Sequence, residues 1–277
     1  VTSSTGAIFT VVRLNPNGSL DTSFDGDGIM TNSTAGTPFA VAIQPDGKIV
    51  TAGNIAPNLS SNDFSIVRLN ENGSFDTTFD SDGKVSVEIG NTGFGTDDLA
   101  TSIALQVDGK IVVGGQSDFT FTGRDWAVVR LNTDGALDTS FGIGGKVRTT
   151  FGGNNSNESI NAIAVEASGR ITAVGHGVEG GPRGIAVARY NGDGSPDLAF
   201  SGDGRVVTPS SGNGNEQGWG VAVQPDGKII ATGYSGLEIA VLRYNNDGIL
   251  DTTFSGDGKI FMTIYQGGGQ SVARGVV

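Results

Sequence analysis

The sequence predicts an all-β fold, a β-propeller built from four-stranded antiparallel blades. Three observations support this prediction: one long motif recurs through the chain, turn-forming residues are abundant, and each copy of the motif reads as four short strands. The motif is roughly A-x-A-x-Q-P-D-G-K-I-V-x-x-G, a variable loop, and R-[LY]-N-x-[ND]-G-x-x-D-x-x-F. Its arginine stands at Arg13, Arg68, Arg130, Arg189 and Arg243, at separations of 55, 62, 59 and 54 residues. Repeats of this length are typical of propellers and solenoids, whose units bury one another.

Composition limits both the structure and the partners. The chain has 277 residues, of which 46 are glycine and none is cysteine, so turns are frequent, and disulfides and thiolate metal sites are excluded. The net charge of −12 argues against nucleic acid and anionic membrane surfaces, which attract lysine and arginine. No stretch approaches the roughly 18 apolar residues of a membrane span. An acidic, turn-rich chain of this kind suits a secreted or cell-surface bacterial protein.

One copy of the repeat shows how its strands are arranged. Alternating apolar residues predict strands at 102–106, 110–115, 125–132 and 146–151, and Asp108-Gly109 supplies a tight turn between the first two. Four antiparallel strands in one repeat make a propeller blade. The first strand is expected nearest the propeller axis, because it carries a small residue at the same position of four copies: Ala42, Ala104, Ala164 and Ala222.

The repeats divide a single domain, residues 1–277, into five blades. Four blades are continuous, at approximately 39–90, 99–152, 160–209 and 218–265. The chain begins with third- and fourth-strand sequence and ends with first-strand sequence, so residues 270–277 and 1–32 are expected to close a fifth blade together. Two alternatives stay open: a flat solenoid, and a section of a longer array of about six to eight blades.

The repeat resembles the bacterial delta-60 repeat family over essentially the whole chain. The resemblance rests on Q-P-D-G-K-I-V at 44–50, Q-P-D-G-K-I-I at 224–230, R-L-N-E-N-G-S-F-D at 68–76 and D-T-T-F-S-G-D-G-K at 251–259. It implies a propeller-like fold in a secreted or surface protein, and it carries over no activity and no catalytic residue. The copy at 166–170 departs from the pattern with E-A-S-G-R, which still makes a turn.

Residues that recur in every copy are expected to be scaffold, since a single active site needs residues that occur once. Each repeat arginine is followed eight residues later by an aspartate, which predicts an ion pair across the connection between the third and fourth strands. The phenylalanine of D-x-x-F is expected in the core. Trp126 takes a position that Phe64 and Ile185 hold in other copies, which predicts a core aromatic there as well.

The aspartate-rich turns admit two interpretations. Asp25 and Asp27, and Asp80 and Asp82 in the next copy, each complete a set of three aspartates within seven residues, and carboxylates are ligands that calcium prefers. The spacing is not that of a D-x-D-x-D-G loop, and the third copy keeps the turn without the two later aspartates. We therefore expect Asp-Gly turn chemistry and no cofactor, with calcium binding at these four aspartates as the alternative.

The loops that differ between copies gather on one face of the predicted propeller. Alternating strands place the P-D-G-K turns on one face, and the loops between second and third strands and between blades on the other. Function on a rigid scaffold is concentrated in such loops. Diverse residues are expected there on the first strands (Phe39, Thr101, Asn161, Trp219, Arg274) and on the second strands (Asn54, Gln116, His176, Tyr234).

From these two sets we predict a ligand site. Aromatic rings would stack on a sugar and polar groups would hydrogen-bond it. The alternative is surface variation without a function. The predicted ligand-binding residues are Trp219, Tyr234, Arg274, Asn161, Gln116 and His176.

The sequence favours a non-catalytic module that recognises an extracellular glycan or a surface protein through this variable face. One alternative is a structural spacer repeat of a larger surface protein or filament, so that the chain would be part of a longer polypeptide or assembly. The other is a polysaccharide hydrolase or lyase, because six carboxylates are predicted on the same face. The chain has one histidine and no helix to carry a G-x-S-x-G nucleophile, so we expect it not to be an enzyme. The six carboxylates are Asp97, Asp98, Glu158, Glu179, Glu216 and Glu238.

Overall fold

The chain folds as β-structure throughout the part that the structure describes. The computed structural model describes residues 8–58, 61–90, 97–119, 123–152, 156–209, 216–263 and 271–276. Within these residues there are nineteen β-strands and no helix, and hence no helix of the length and apolarity that crossing a membrane requires. The all-β prediction is confirmed.

Four sheets have the predicted blade architecture, in which four consecutive antiparallel strands are hydrogen-bonded in chain order. Blade 1 contains β3 (Thr37–Ile43), β4 (Ile49–Asn58), β5 (Ser61–Leu69) and β6 (Lys84–Val87). Blade 2 contains β7 (Leu99–Leu105), β8 (Ile111–Phe119), β9 (Gly123–Leu131) and β10 (Lys146–Thr149), with the short β11 (Ser156–Asn157) parallel to β9. Blade 3 contains β12 (Ser159–Val165), β13 (Ile171–Gly177), β14 (Gly184–Tyr190) and β15 (Arg205–Thr208). Blade 4 contains β16 (Glu216–Val223), β17 (Ile229–Ser235), β18 (Glu238–Tyr244) and β19 (Lys259–Met262).

The fifth sheet is a pair of antiparallel strands, β1 (Phe9–Val12) and β2 (Ile29–Asn32), at the third- and fourth-strand positions of a blade. Residues 271–276 run along blade 4, where Ser271 N donates to Leu237 O at 3.2 Å and Ala273 N to Gly233 O at 3.3 Å. Within the described chain no ladder joins these residues to β1. Closure of a fifth blade by 270–277 and 1–32, like the blade boundaries, stays a prediction.

The hydrophobic core lies between consecutive blades. At the junction of blades 1 and 2, Val50 and Phe64 pack with Ile111 and Val129. Equivalent clusters join β1 and β2 to blade 1, blade 2 to blade 3, and blade 3 to blade 4. Trp126 is fully buried in one of them, as predicted. The first strands β3, β7, β12 and β16 contact one another in sequence, as expected for the strands nearest the axis.

The recurring arginine ties each blade to its own connection and to the next blade. In all five copies Nε donates to the aspartate Oδ2 at 2.7–2.8 Å, as Arg68 does to Asp76. The guanidinium carbon lies 4.5–4.9 Å from the ring centre of the D-x-x-F phenylalanine. In the first four copies Nη1 also donates to the following blade. The predicted ion pair is confirmed, and the bond between blades is a second role that sequence spacing does not reveal.

A β-bulge interrupts the first strand of each complete blade at the same place. The bulged residues are Phe39, Thr101, Asn161 and Trp219. Each bulge lies beside a glycine of the second strand, where a Cβ would stand only 1.9–2.0 Å from a first-strand carbonyl oxygen; these are Gly53, Gly115, Gly175 and Gly233. A bulge changes the direction of the side chain of its extra residue. The same backbone feature therefore presents a chemically different side chain in each of the four blades.

Candidate functional site

The P-D-G-K face is occupied by repeated scaffold contacts. The turn lysine shares the aspartate of the arginine pair, so that Lys110 Nζ lies 2.9 Å from Asp138 Oδ2. The same contact recurs in blades 1 and 4 at 3.2 and 3.0 Å. Candidate functional groups are therefore found on the opposite, variable face.

The structure brings together two of the predicted first-strand ligand residues. The Arg274 guanidinium carbon lies 5.1 Å from the ring centre of Trp219, and Arg274 is exposed whereas Trp219 is half-buried. The polar groups in the preceding blades are used differently. Thr101 Oγ1 donates to the Ile160 carbonyl at 2.5 Å and Asn161 Nδ2 to the Gly218 carbonyl at 2.7 Å, so both brace neighbouring first strands.

The second-strand residues are more buried than surface ligand groups would be. Gln116, His176 and Tyr234 are only 7–8 % exposed, because each lies between two paired strands; Gln116, for example, pairs with Leu99 and with Trp126. The indole N–H of Trp126 also donates to the His176 carbonyl at 3.0 Å. In blade 1 the same position holds a half-buried residue, Asn54.

His176, Arg183 and Tyr234 form an electrostatic cluster between blades 3 and 4. Burial and the nearby charge of Arg183 lower the pKa of His176 to about 3, against the effect of a hydrogen bond with the Asn157 backbone. Burial also lowers the pKa of Arg183, while Tyr234 acts in the opposite direction. Among the described residues, the buried Arg183 Nε and His176 Nδ1 have no hydrogen-bond partner. A half-buried guanidinium that pairs with no carboxylate of the described residues favours an anionic ligand.

Three of the six variable-face carboxylates are buried in the scaffold. Asp98, Glu158 and Glu216 are at most 1 % exposed and stand three residues before the bulge in blades 2, 3 and 4. Asp98 accepts a hydrogen bond from Ile89 N at 2.7 Å, and Glu158 accepts one from Phe151 N at 2.9 Å. Burial raises the pKa of Asp98. These acids anchor the segments between blades, and their recurrence is visible in the sequence once the copies are aligned at the bulge.

Blade 1 departs from this pattern, because Gly36 stands where the other blades have the buried acid. A cleft of about 480 Å³ lies beside it, and none of the described residues that line it is charged. Asn54 Oδ1 is buried without a hydrogen-bond partner in the described chain, and Asn62 Nδ2 is held by Asp97 Oδ1 at 2.7 Å. The sequence analysis did not predict this cleft, although a glycine at the position that holds an acid in the other blades indicates it. The lining residues are Ser33, Thr34, Gly36, Thr37, Asn54, Ile55, Ala56 and Asn62.

The four aspartates considered for calcium serve the turns. Asp27 Oδ1 accepts from Ile29 N at 2.8 Å, and Asp82 Oδ1 accepts from Lys84 N at 2.9 Å. Asp25 and Asp80 adopt positive φ angles of 51° and 47°, and their N–H groups donate to the next blade at 2.8 Å. The described ranges contain no group of three His, Cys, Asp or Glu side chains that could hold a metal ion. Calcium binding stays a prediction.

The chain belongs to the family described as "Domain of unknown function (DUF5122) beta-propeller", whose model matches residues 5–24, 44–79, 106–141, 166–200 and 224–254. This match confirms that the repeat is of a β-propeller family; the narrower delta-60 assignment stays a prediction. No curated protein matches the chain in sequence.

Solved structures similar to the chain differ widely from it in sequence. An ulvan lyase of polysaccharide lyase family PL25 has a TM-score of 0.47 at 14 % identity, over 76 % of this chain and 53 % of the lyase. The aldose sugar dehydrogenase of Streptomyces coelicolor, bound to PQQ, scores 0.42 at 15 % identity, over 87 % of this chain and 65 % of the other. Virginiamycin B lyase of Staphylococcus aureus scores 0.40 at 11 % identity, over 95 % and 75 %. The chain thus spans about half the length of the ulvan lyase.

Proposed function

We propose that the chain is a non-catalytic glycan-binding module of a secreted or cell-surface bacterial protein, and that the cleft of blade 1 is its main subsite. One observation carries the proposal: blades 2 to 4 place a buried acid before the bulge, whereas blade 1 has Gly36 there and an open neutral cleft. The cleft volume of about 480 Å³ lies in the range of small-molecule sites, roughly 300–1,000 Å³. Its hydroxyl and amide groups both donate and accept, as the hydroxyls of a neutral sugar require.

Trp219 and Arg274 supply a second contact on the same face. The half-buried indole offers apolar area for stacking on a sugar ring, and the exposed guanidinium beside it donates hydrogen bonds. The half-buried Asn161 supports this contact through its hydrogen bond to the Gly218 carbonyl, next to Trp219.

The test is a binding array of neutral and acidic oligosaccharides, probed with the wild-type chain and three variants. Asn54→Ala and Thr37→Ala each remove one polar group from the cleft, while Thr22→Ala removes an exposed hydroxyl from the scaffold face. We expect binding of a neutral oligosaccharide that each cleft variant weakens about fivefold to tenfold, as for the loss of one hydrogen bond. Thr22→Ala should bind normally. If the wild-type chain binds no oligosaccharide of the array, the proposal is overturned and the structural spacer is favoured.

A second candidate function, a polysaccharide lyase, is favoured by the cluster of His176, Arg183 and Tyr234. Elimination next to a uronate needs a cation against the carboxylate, a base for the α-proton and an acid for the leaving oxygen. Arg183, neutral His176 and the Tyr234 hydroxyl could supply these roles. Binding alone is the better supported function, because His176 and Tyr234 are more than nine-tenths buried.

The lyase candidate has its own readout. The chain would convert an acidic polysaccharide to unsaturated products, detected by their ultraviolet absorbance. Arg183→Ala would abolish this turnover while Arg124→Ala, which removes a partly exposed arginine of blade 2, would not. Absence of unsaturated products from a panel of uronate-containing polysaccharides would eliminate this candidate and leave glycan binding untouched.

A further inference from the structure

Apolar side chains beside β1 are exposed where the complete blades bury their equivalents. Val12 and Leu14 are 51 % and 57 % exposed, whereas the residues at their positions in blades 1 to 4 are at most 2 % exposed. On β3, Phe39, Val41 and Ile43 are 56 %, 62 % and 70 % exposed. The residues that match Val41 and Ile43 on β7, β12 and β16 pack into the cores between blades.

The reason is that β3 lacks the cover that the other first strands have. At the complete junctions the second strand of one blade packs on the first strand of the next: β4 on β7, β8 on β12 and β13 on β16. Before β3, the described residues provide only third- and fourth-strand positions, in β1 and β2. A slot of about 300 Å³ lies there, lined by Thr10, Val11, Val12, Pro38, Phe39, Ala40, Val41 and Thr51.

One wall of the slot is an open strand edge. Arg13 N donates to Gly28 O at 3.0 Å and Arg13 O accepts from Asp21 N at 2.9 Å, so both groups point toward β2. Because backbone groups alternate along a strand, the N–H and C=O groups of Thr10 and Val12 point to the opposite edge, where no described strand pairs with β1. Apolar walls beside unpaired backbone groups are the features that bind an added β-strand.

We propose that this slot binds an extended strand with the sequence pattern of the repeat's own second strand, supplied by another copy of the repeat. The occupant follows from continuity with the established junctions. In blade 1 the second strand buries Val50 and Ala52 completely against blade 2. The same two positions of a docked strand would meet Val41 and Ile43, whose equivalents Ile103 and Leu105 pack in that cluster. The slot is then a joining surface for a further copy of the repeat, independent of glycan binding.

The direct test uses a synthetic peptide of residues 46–54 (D-G-K-I-V-T-A-G-N), labelled for fluorescence anisotropy. We expect saturable binding of one peptide per chain. Hydrogen exchange should slow at the amides of Thr10 and Val12 when the peptide is bound. A peptide with Val50→Asp places a charge against the apolar wall and should not bind.

Two variants of the chain complete the experiment. Val41→Asp charges the slot and should abolish peptide binding, whereas Val107→Asp charges a turn residue that is 86 % exposed and should bind normally. Both positions are exposed, so circular dichroism and thermal unfolding should match the wild type. No saturable binding, equal binding of the Val50→Asp peptide, or full binding by the Val41→Asp chain would each overturn the proposal. A dimer of whole chains that Val41→Asp dissociates, without peptide binding, would also overturn it.

Discussion

Arg68 of blade 1 donates through Nη1 to the Thr133 carbonyl of blade 2 at 2.6 Å. Its Nε donates to Asp76 at 2.7 Å and its guanidinium carbon lies 4.5 Å from the ring centre of Phe79. One side chain therefore fixes the connection within its own blade and the position of the next blade. Repetition of this arrangement explains why the R-[LY]-N motif and the aspartate eight residues later recur together.

Removal of the repeated arginine should lower the free energy of unfolding more in blade 1, where it also binds the next blade, than in blade 4. We expect Arg68→Ala to lower the free energy of unfolding by about 2–3 kcal/mol, because the buried guanidinium loses its hydrogen bonds to Asp76 and to the Thr133 carbonyl of blade 2. Arg243→Ala should cost at least about 1 kcal/mol less, since Arg243 is more exposed and has no bond to a following blade among the described residues. Urea unfolding of both variants measures the difference. Equal losses would contradict the role between blades.

Stability should fall in acid through the repeated aspartates. Burial alone would raise the pKa of Asp76, but the hydrogen bonds from Thr78 and Lys48 and the charge of Arg68 lower it to about 2. Hydrogen bonds from Ser140 and Lys110 likewise hold the pKa of Asp138 well below its usual range, against burial. Because the folded state favours the carboxylate, this stabilisation is present above about pH 4 and is lost as the pH falls toward 2.

The measurement is urea unfolding between pH 6 and 2 for the wild type and Asp76→Asn. The wild type should be the more stable of the two at pH 6, and the difference should shrink by on the order of 2 kcal/mol by pH 2. A difference that stays constant over this range would show that Asp76 keeps an ordinary pKa.

The glycine beside each bulge should tolerate no side chain. A Cβ on Gly115 would lie 2.0 Å from the Leu99 carbonyl oxygen, whereas a Cβ on Gly181 has nothing closer than 3.8 Å. We expect Gly115→Ala to destabilise the chain by about 3 kcal/mol or to prevent folding, as overpacking against backbone does. Gly181→Ala should unfold like the wild type. Thermal unfolding of the two variants tests this, and a fully stable Gly115→Ala chain would mean that the bulge is absent.

The two tryptophans should differ in accessibility. Trp126 is fully buried and donates to the His176 carbonyl, while Trp219 is half-buried on the variable face. In the Trp126→Phe variant the remaining fluorescence should be quenched by acrylamide and should respond to a bound glycan. In Trp219→Phe it should be protected from quencher. Similar quenching of both variants would refute the assignment of the two environments.

Calcium should leave stability unchanged if the aspartates serve only turns. Asp27 and Asp82 already accept backbone N–H groups, so we expect the same melting temperature with calcium and with chelator, to within about 1 °C. A rise with calcium that Asp80→Asn removes would instead establish a metal site there and support the alternative interpretation.

The fold was largely predictable from the sequence because its determinants are local and repeated. Turn residues, alternating strands and the Arg–Asp spacing each recur, so the copies reinforce one another. The burial of the predicted site residues was not predictable from the sequence, because it depends on strand register. The sequence shows diverse residues at Gln116, His176 and Tyr234 but not that two paired strands bury them. The cleft of blade 1 is present where Gly36 replaces the buried acid of the other blades, and the loss of a side chain is harder to recognise in a sequence than its presence.

The most direct test of glycan binding at the blade 1 cleft is to map amide chemical shifts while titrating the chain with neutral oligosaccharides. We predict saturable shifts at residues 33–37, 54–58 and 61–62, smaller changes near Trp219, and loss of these shifts in Asn54→Ala. Shifts confined to the P-D-G-K turns, or no saturable shifts with any neutral oligosaccharide of the array, would contradict the proposed function.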